Sequence, residues 1–224
     1  MTETAETAEE ALVCPVGEAS CRIIDRLQAA FGHLQELESQ ARTDSLTGLY
    51  NFRHFAETLD NEMERTRRSY QPTALILVDL DHFKQVNDTR GHEVGNIALR
   101  QTAAQIQSHL RKLDQGCRYG GEEFALILPN TRLDKAVEVA ERLRQLREQQ
   151  PVELPDGSSF SLTASYGVAV FSGGEFLNRQ EFVAQADRYL YRAKEAGRNQ
   201  VMAPRKRQAA DTEVSADEKR ALLG

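Results

Sequence analysis

The stretch Arg111-Lys112-Leu113-Asp114-Gln115-Gly116-Cys117-Arg118-Tyr119-Gly120-Gly121-Glu122-Glu123-Phe124 decides how the rest of the chain is read. Its second half predicts a tight hairpin, with Gly116 to Tyr119 as one arm, Glu123 to Leu128 as the other, and Gly120-Gly121 between them. Two glycines permit the positive φ values that short hairpin turns use. Glu122 and Glu123 then stand where the chain reverses and can point into a cleft. Taken alone, such a turn reads as a solvated acidic tip. The residues from Asp79 to Asn96, and the Arg111/Asp114 pair beside the turn, give it chemistry.

Upstream, Thr73 to Leu80 is a nearly unbroken apolar run that suits a central strand buried on both faces. It ends in Asp79-Leu80-Asp81. Strand period points both aspartates the same way, and the Leu80 carbonyl is offered at the sheet edge. Hard oxygen donors of this kind suit Mg²⁺ or Mn²⁺, which also bridges to phosphates. A carboxylate from the hairpin, Glu122 or Glu123, completes such a site. Two acidic elements meeting at the end of a sheet can run phosphate chemistry: the metal neutralises charge while a hydroxyl attacks in line. The plainer alternative is that Asp79 and Asp81 cap the helix that follows. Lys84 lies within one turn and can reach the same phosphates. Lys194 and Arg198, around the end of the last helix, are further phosphate candidates, although cations suit a helix C-terminus anyway.

Moving outward, residues 1–17 are acidic, carry Pro15 and Gly17, and are expected to be disordered. Residues 18–43 predict a coiled-coil-like signalling helix, with Ile23, Leu27, Ala30, Leu34, Leu37 and Ala41 as a dimerising seam. The segment from Asp44 to Asn51 breaks that helix and opens the domain, 44–203. Phe52, Phe55, Leu59 and Met63 mark a helix to about Arg68. His82 to Arg90 reads as a polar connection, and Glu93 to Lys112 as a long helix whose stripe ends in Leu113. Pro129-Asn130-Thr131 ends the hairpin and offers a cap to a helix running to about Glu148. Pro151 to Gly157 is a loop, Ser161 to Phe171 a strand, 179–196 a helix closed by Gly197, and Asn199 to Ala203 a last strand. The tail, 204–224, reads as disordered. This order predicts an α+β fold: a ferredoxin-like, palm-type antiparallel sheet of about five strands with flanking helices, preceded by a dimerising helix.

Composition excludes several classes. The net charge of −6 argues against a nucleic-acid binder, though a few local cations suffice for a nucleotide. No stretch approaches a membrane span of roughly 20 apolar residues. The acidic N-terminus is the opposite of a signal peptide, so the expected location is cytoplasmic. Three unevenly spaced cysteines form neither a disulfide framework nor a zinc site.

Five segments, in order, carry a resemblance: Asp44-x-Leu46-Thr47-Gly48-Leu49-x-Asn51, Asp79 to Asp88, Gly91-His92-x-x-Gly95, Arg118 to Phe124, and Ala186-Asp187 through Gly197-Arg198-Asn199. Together, from about Asp44 to Val201, they resemble the GGDEF family of diguanylate cyclases. The resemblance implies condensation of two GTP, one on each of two facing domains, to cyclic di-GMP and two pyrophosphates. It implies that Asp79, the Leu80 carbonyl and Glu122 bind Mg²⁺ or Mn²⁺, and that Glu122 or Glu123 deprotonates the 3′-hydroxyl. Lys84 would stabilise transition-state charge. Asn87 and His92 would contact the nucleotide, and Phe83, Lys84, Lys194 and Arg198 would line the phosphate path.

Arg111-x-x-Asp114 resembles the family's inhibitory site, where cyclic di-GMP binds away from the cleft, with an arginine of a second copy of the chain (Arg142, Arg144 or Arg147) as a candidate third contact. The implied partners are GTP, cyclic di-GMP as product and inhibitor, and a second copy of the chain. Two positions depart from the family pattern. Asn96 stands where the family has a guanine-reading aspartate; loss of a charge-assisted bond there costs roughly 1–2 kcal/mol. An amide could also donate to adenine, so a cyclase using both GTP and ATP is one alternative. A non-catalytic cyclic di-GMP receptor is the other. Phe52 stands where the family usually has arginine, a position that concerns packing.

Overall fold

The structure, a computed structural model, describes residues 25–32 and 42–205. Residues 25–32 form a helix, α1, with exposed side chains that include Leu27 and Ala30 of the expected seam. Ile23, Leu34, Leu37 and Ala41 lie outside the described residues, as do residues 1–17 and the tail from residue 206. The domain then runs α2 (Phe52–Ser69), β1 (Thr73–Leu80), α3 (Phe83–Arg90), α4 (His92–His109), β2 (Gln115–Arg118) and β3 (Glu123–Leu128). It continues with α5 (Leu133–Gln149), β4 (Val152–Glu153), β5 (Ser159–Phe160), β6 (Ala164–Phe171), α6 (Arg179–Glu195) and β7 (Val201–Met202).

Five strands form one sheet in the order β2-β3-β1-β6-β7, and β4 and β5 make a separate hairpin. β1 lies antiparallel to β3 and β6, and β2 to β3; β7 joins β6 in parallel. The fold is the expected α+β arrangement, with helices on both faces. All eight residues of β1 are buried, which explains its continuous apolar reading. Ala74, Ile76, Val78 and Leu80 face a core shared with α4 and α5, whereas Leu75 and Leu77 face α2 and α6. The same alternation places Asp79 on the α2/α6 side, at the end of the strand. Gly167 lets α6 lie against β6: a Cβ there would run into the Ala186 carbonyl oxygen and the Leu190 nitrogen. That close approach carries Lys194, on the last turn of α6, to the end of β1. The expected cap at Gly197 holds: its φ is +112°, and Arg198 N donates to Ala193 O at 2.9 Å.

Several element boundaries differ from expectation. The polar connection from His82 to Arg90 contains α3, entered through a left-handed His82 (φ 57°). Its N-cap is His82, without a side-chain cap, so neither Asp79 nor Asp81 caps it. α4 stops at His109, not Lys112, and Leu113 is 76% exposed rather than part of the stripe. The cause is a local turn: the Asp114 carboxylate accepts from Arg111 N at 2.9 Å, and Asp114 N donates to Arg111 O at 3.0 Å. Thr131 does not cap α5. Arg132 takes that position, and the Thr131 hydroxyl donates to Pro129 O at 2.9 Å. The loop expected from Pro151 begins with β4, and the strand expected from Ser161 begins at Ala164.

The domain boundary is docked on the hairpin. Asp44 accepts from Thr47 N at 2.9 Å and Thr47 Oγ1 at 2.6 Å. Both Asp44 oxygens accept from Arg118 Nη1, at 3.2 and 3.1 Å. Burial would raise the Asp44 pKa, but Thr47 and Arg118 outweigh it and hold the carboxyl below its usual range. Tyr50 N donates to Gly116 O at 3.2 Å and Arg118 N to Tyr50 O at 2.7 Å, tying the entry of the domain to β2.

Candidate active site

The site is built at the end of β1. Asp79 and Glu123 are directly opposed across β1 and β3, and Leu80 N donates to Glu122 O at 3.3 Å. The sheet therefore brings Asp79, Leu80, Glu122 and Glu123 together from two distant segments. Asp79 is 8% exposed and pairs with Lys194 Nζ at 2.7 Å. Asp81 goes elsewhere. It accepts from Ser165 Oγ and Thr163 Oγ1, both at 2.7 Å, and from Asn199 N at 3.1 Å. Two acids expected to share one direction thus divide: Asp79 serves the site, and Asp81 anchors β6 and the loop after α6.

The glycines of the hairpin act through size rather than backbone handedness. Neither Gly120 nor Gly121 has a left-handed φ. The turn closes because Tyr119 N and Gly120 N both donate to Glu123 O, at 2.8 and 3.2 Å. A Cβ on Gly120 would lie 2.6 Å from Glu123 Oε2, whereas one on Gly121 would meet nothing within 4 Å. One glycine makes room for the carboxylate and the other leaves the tip open. Arg118, which sequence reasoning gave no role of its own, donates from Nη2 to Gly121 O at 2.8 Å while also holding Asp44. Its partner was findable only through the fold, since the two lie 74 residues apart.

The carboxylates are held above their ordinary pKa values. Burial is the first cause for Asp79, Glu122 and Glu123 alike; Asp79 then raises both glutamates, and Lys194 opposes the rise at all three. Three acids facing one ion-paired lysine leave an excess of hard, anionic oxygen. That donor chemistry fits a divalent cation. Among the described residues no three His, Cys, Asp or Glu side chains stand in metal-holding geometry. Asp79, Glu122 and the Leu80 carbonyl are the oxygens that would hold such an ion.

The nucleotide candidates gather at the α3/α4 junction. Phe83 is buried, Asn87 and Asn96 are half-buried, and Lys84 and His92 are exposed near the two helix N-termini. Gly95 packs directly on α3. A Cβ there would collide with the Asn87 side-chain oxygen and lie 3.2 Å from Phe83 Cζ. Arg198 is exposed just beyond α6, close enough for its charge to act on Asp79.

Arg111 and Asp114 lie at the turn before β2, where they line a cavity of about 380 Å³ with Thr43, Tyr50 and Lys112. Among the described residues no ion pair joins the two. Of the three candidate arginines, Arg147 is buried and bonded to Leu162 O, Gln105 Oε1 and Gln150 O. Arg144 is committed to Glu141, Glu148 and Asn199. Arg142 is exposed and donates to His109 O at 2.9 Å, at the end of α4 beside the turn.

Residues 41–200 match the family described as diguanylate cyclase, GGDEF domain. The chain is 38% identical over 182 residues to the response regulator PleD of Caulobacter vibrioides, a match covering 81% of this chain and 39% of that protein. It therefore spans well under half of that relative's length. The structure resembles the coiled coil and GGDEF domain of DgcB from Caulobacter crescentus, crystallised in complex with c-di-GMP. The TM-score is 0.76 and the identity 29%, over 80% of this chain and 94% of that one. It also resembles the diguanylate cyclase SiaD of Pseudomonas aeruginosa in complex with its activator SiaC, with a TM-score of 0.71 and 40% identity, over 82% and 70% of the two chains.

Proposed function

The chain belongs to the GGDEF family of diguanylate cyclases, and from that premise we propose that it is a nucleotidyltransferase condensing two GTP into cyclic di-GMP and two pyrophosphates. The observation that carries this reading is Asp79 set opposite Glu123 on adjoining strands, with Glu122 beside them and all three carboxylates raised in pKa. Each 3′-hydroxyl attacks the α-phosphate of GTP held by a second copy of the domain, and pyrophosphate leaves. A raised pKa makes Glu122 or Glu123 a better base for the 3′-hydroxyl proton. Asp79, Glu122 and the Leu80 carbonyl would hold Mg²⁺ or Mn²⁺, which when bound would neutralise phosphate charge. Lys194, paired with Asp79 in the free chain, becomes available to phosphate oxygens together with Arg198 and Lys84. Phe83, Asn87, His92 and Asn96 hold the nucleotide.

Arg111 and Asp114 form the site for inhibitory cyclic di-GMP, and Arg142 of a second copy, exposed where Arg144 and Arg147 are engaged within their own chain, is the arginine we assign to assist them. The DgcB structure contains c-di-GMP, which supports that ligand class. Two chains pair so that their hairpins face, and the seam expected over residues 18–43 is the segment assigned to that pairing. Among the described residues no helix is long and apolar enough to cross a membrane, and GTP as substrate places the reaction in the cytoplasm. Incubating micromolar protein with GTP and Mg²⁺ tests the reading. Cyclic di-GMP should appear with twice its amount of pyrophosphate. No product, with pyrophosphate at background, removes it.

A further inference from the structure

On the α2/α6 face of the sheet, just behind the hairpin, lies an open cavity of about 420 Å³. Its walls include Phe52, Phe55, Tyr119, Glu123, Val183 and Asp187. The volume falls within the range of small-molecule sites. Three of these rings form a cluster. Tyr119 meets Phe52 and Phe55 edge-on, with centroids at 5.2 and 5.1 Å, and Phe52 lies 6.2 Å from Phe55. Phe52 remains 53% exposed despite these neighbours, so the cluster has an open side.

Two carboxylates border the rings, and the Tyr119 hydroxyl shows their reach. Burial raises its pKa first, and Glu123 and Asp187 raise it further. Among the described residues neither carboxylate has an ion-pair partner. Arg179 is the cation on the cavity wall, and it is already bonded to Asp60 and to the Ala56 carbonyl. Lys194 acts on Glu123 only through its field, and aromatic faces beside carboxylates without a direct ion-pair partner are the chemistry that holds organic cations.

We propose that this cavity binds a small organic cation, an apolar or aromatic body carrying a protonated amine. The body lies on Phe52, Phe55 and Tyr119, and the ammonium lies between Glu123 and Asp187. Because Glu123 is also opposite Asp79 across the strands, the bound amine sets a positive charge beside the carboxylates assigned to the metal. On the cyclase reading, it competes electrostatically with the metal and slows turnover.

The chain contains no tryptophan, so the indole fluorescence anisotropy of tryptamine reports binding to the full chain without GTP or metal. Saturable binding is expected, with indole-3-propionate, similar in shape and opposite in charge, at least about tenfold weaker. Asp187→Asn should weaken tryptamine about three- to tenfold. Ala184 also lines the cavity, and Ala184→Met, which fills that wall, should abolish binding while thermal unfolding stays unchanged. Absence of saturable binding, equal binding of the acid, or binding indifferent to Ala184→Met would overturn the proposal. A chain that binds tryptamine yet makes no cyclic dinucleotide would overturn the cyclase reading and leave this one standing.

Discussion

Asp79 concentrates the electrostatics of the site. Lys194 neutralises it in the free chain at 2.7 Å, and two glutamates of raised pKa lie next to it. Replacing Lys194 leaves a mostly buried carboxylate without its partner, at a cost of roughly 1–3 kcal/mol. Lys194→Met should therefore unfold at lower denaturant. It should also bind Mg²⁺ more tightly by calorimetry, because nothing competes for Asp79, and still form product more slowly. The pH dependence follows from the same shifts. Glu122 and Glu123 lose their protons above the ordinary glutamate value of 4.5. Mg²⁺ affinity should accordingly rise with pH through a range higher than that of a surface carboxylate, and fall as the pair takes up protons. At Asn96, products from equimolar GTP and ATP decide purine choice. Cyclic di-GMP alone is expected, with tighter GTP binding in Asn96→Asp; a mixed guanine–adenine product would assign the amide to adenine. Asp79, Glu122, Glu123 and Lys194 were legible in the sequence as types and spacings. The division of labour between Asp79 and Asp81 was not, because it depends on Thr163, Ser165 and Asn199 arriving from the other end of the chain.

Elements with strong periodicity or continuous burial were readable: β1, the hairpin arms, and most of α4 and α6. α3 was not. It has eight residues, one of them buried, and its entry needs a left-handed histidine, so neither pattern nor capping announces it. The end of α4 was misread because Leu113 continues the apolar spacing, while Asp114 captures the Arg111 backbone N–H and stops the helix. Two contacts between elements carry predictions. Gly167→Ala forces a methyl group into the α6 backbone, which should cost about 1–3 kcal/mol and shift Lys194 away from Asp79. Arg118→Met removes the link between the Asp44 turn and the hairpin tip. About 1–2 kcal/mol should be lost at neutral pH. The Asp44 pKa is lowered in the fold, so its contribution is present above the unfolded value of 3.8 and disappears as pH falls through the folded one. The deficit of the variant should therefore shrink in acid; a deficit independent of pH would contradict the assignment.

At the scale of the molecule, on the proposed reading one domain supplies carboxylates, cations and contacts for a single GTP, the second GTP coming with a second chain. The carboxylates at the end of β1 are the centre of that account, and their removal also separates an enzyme from a receptor. The decisive measurement is cyclic di-GMP formation from GTP and Mg²⁺ by the full chain beside Glu122→Ala, with binding of cyclic di-GMP followed in parallel. The account predicts product from the parent chain, a loss of about 100-fold or more in the variant, and unchanged binding at Arg111 and Asp114. Equal rates from the two proteins would contradict it.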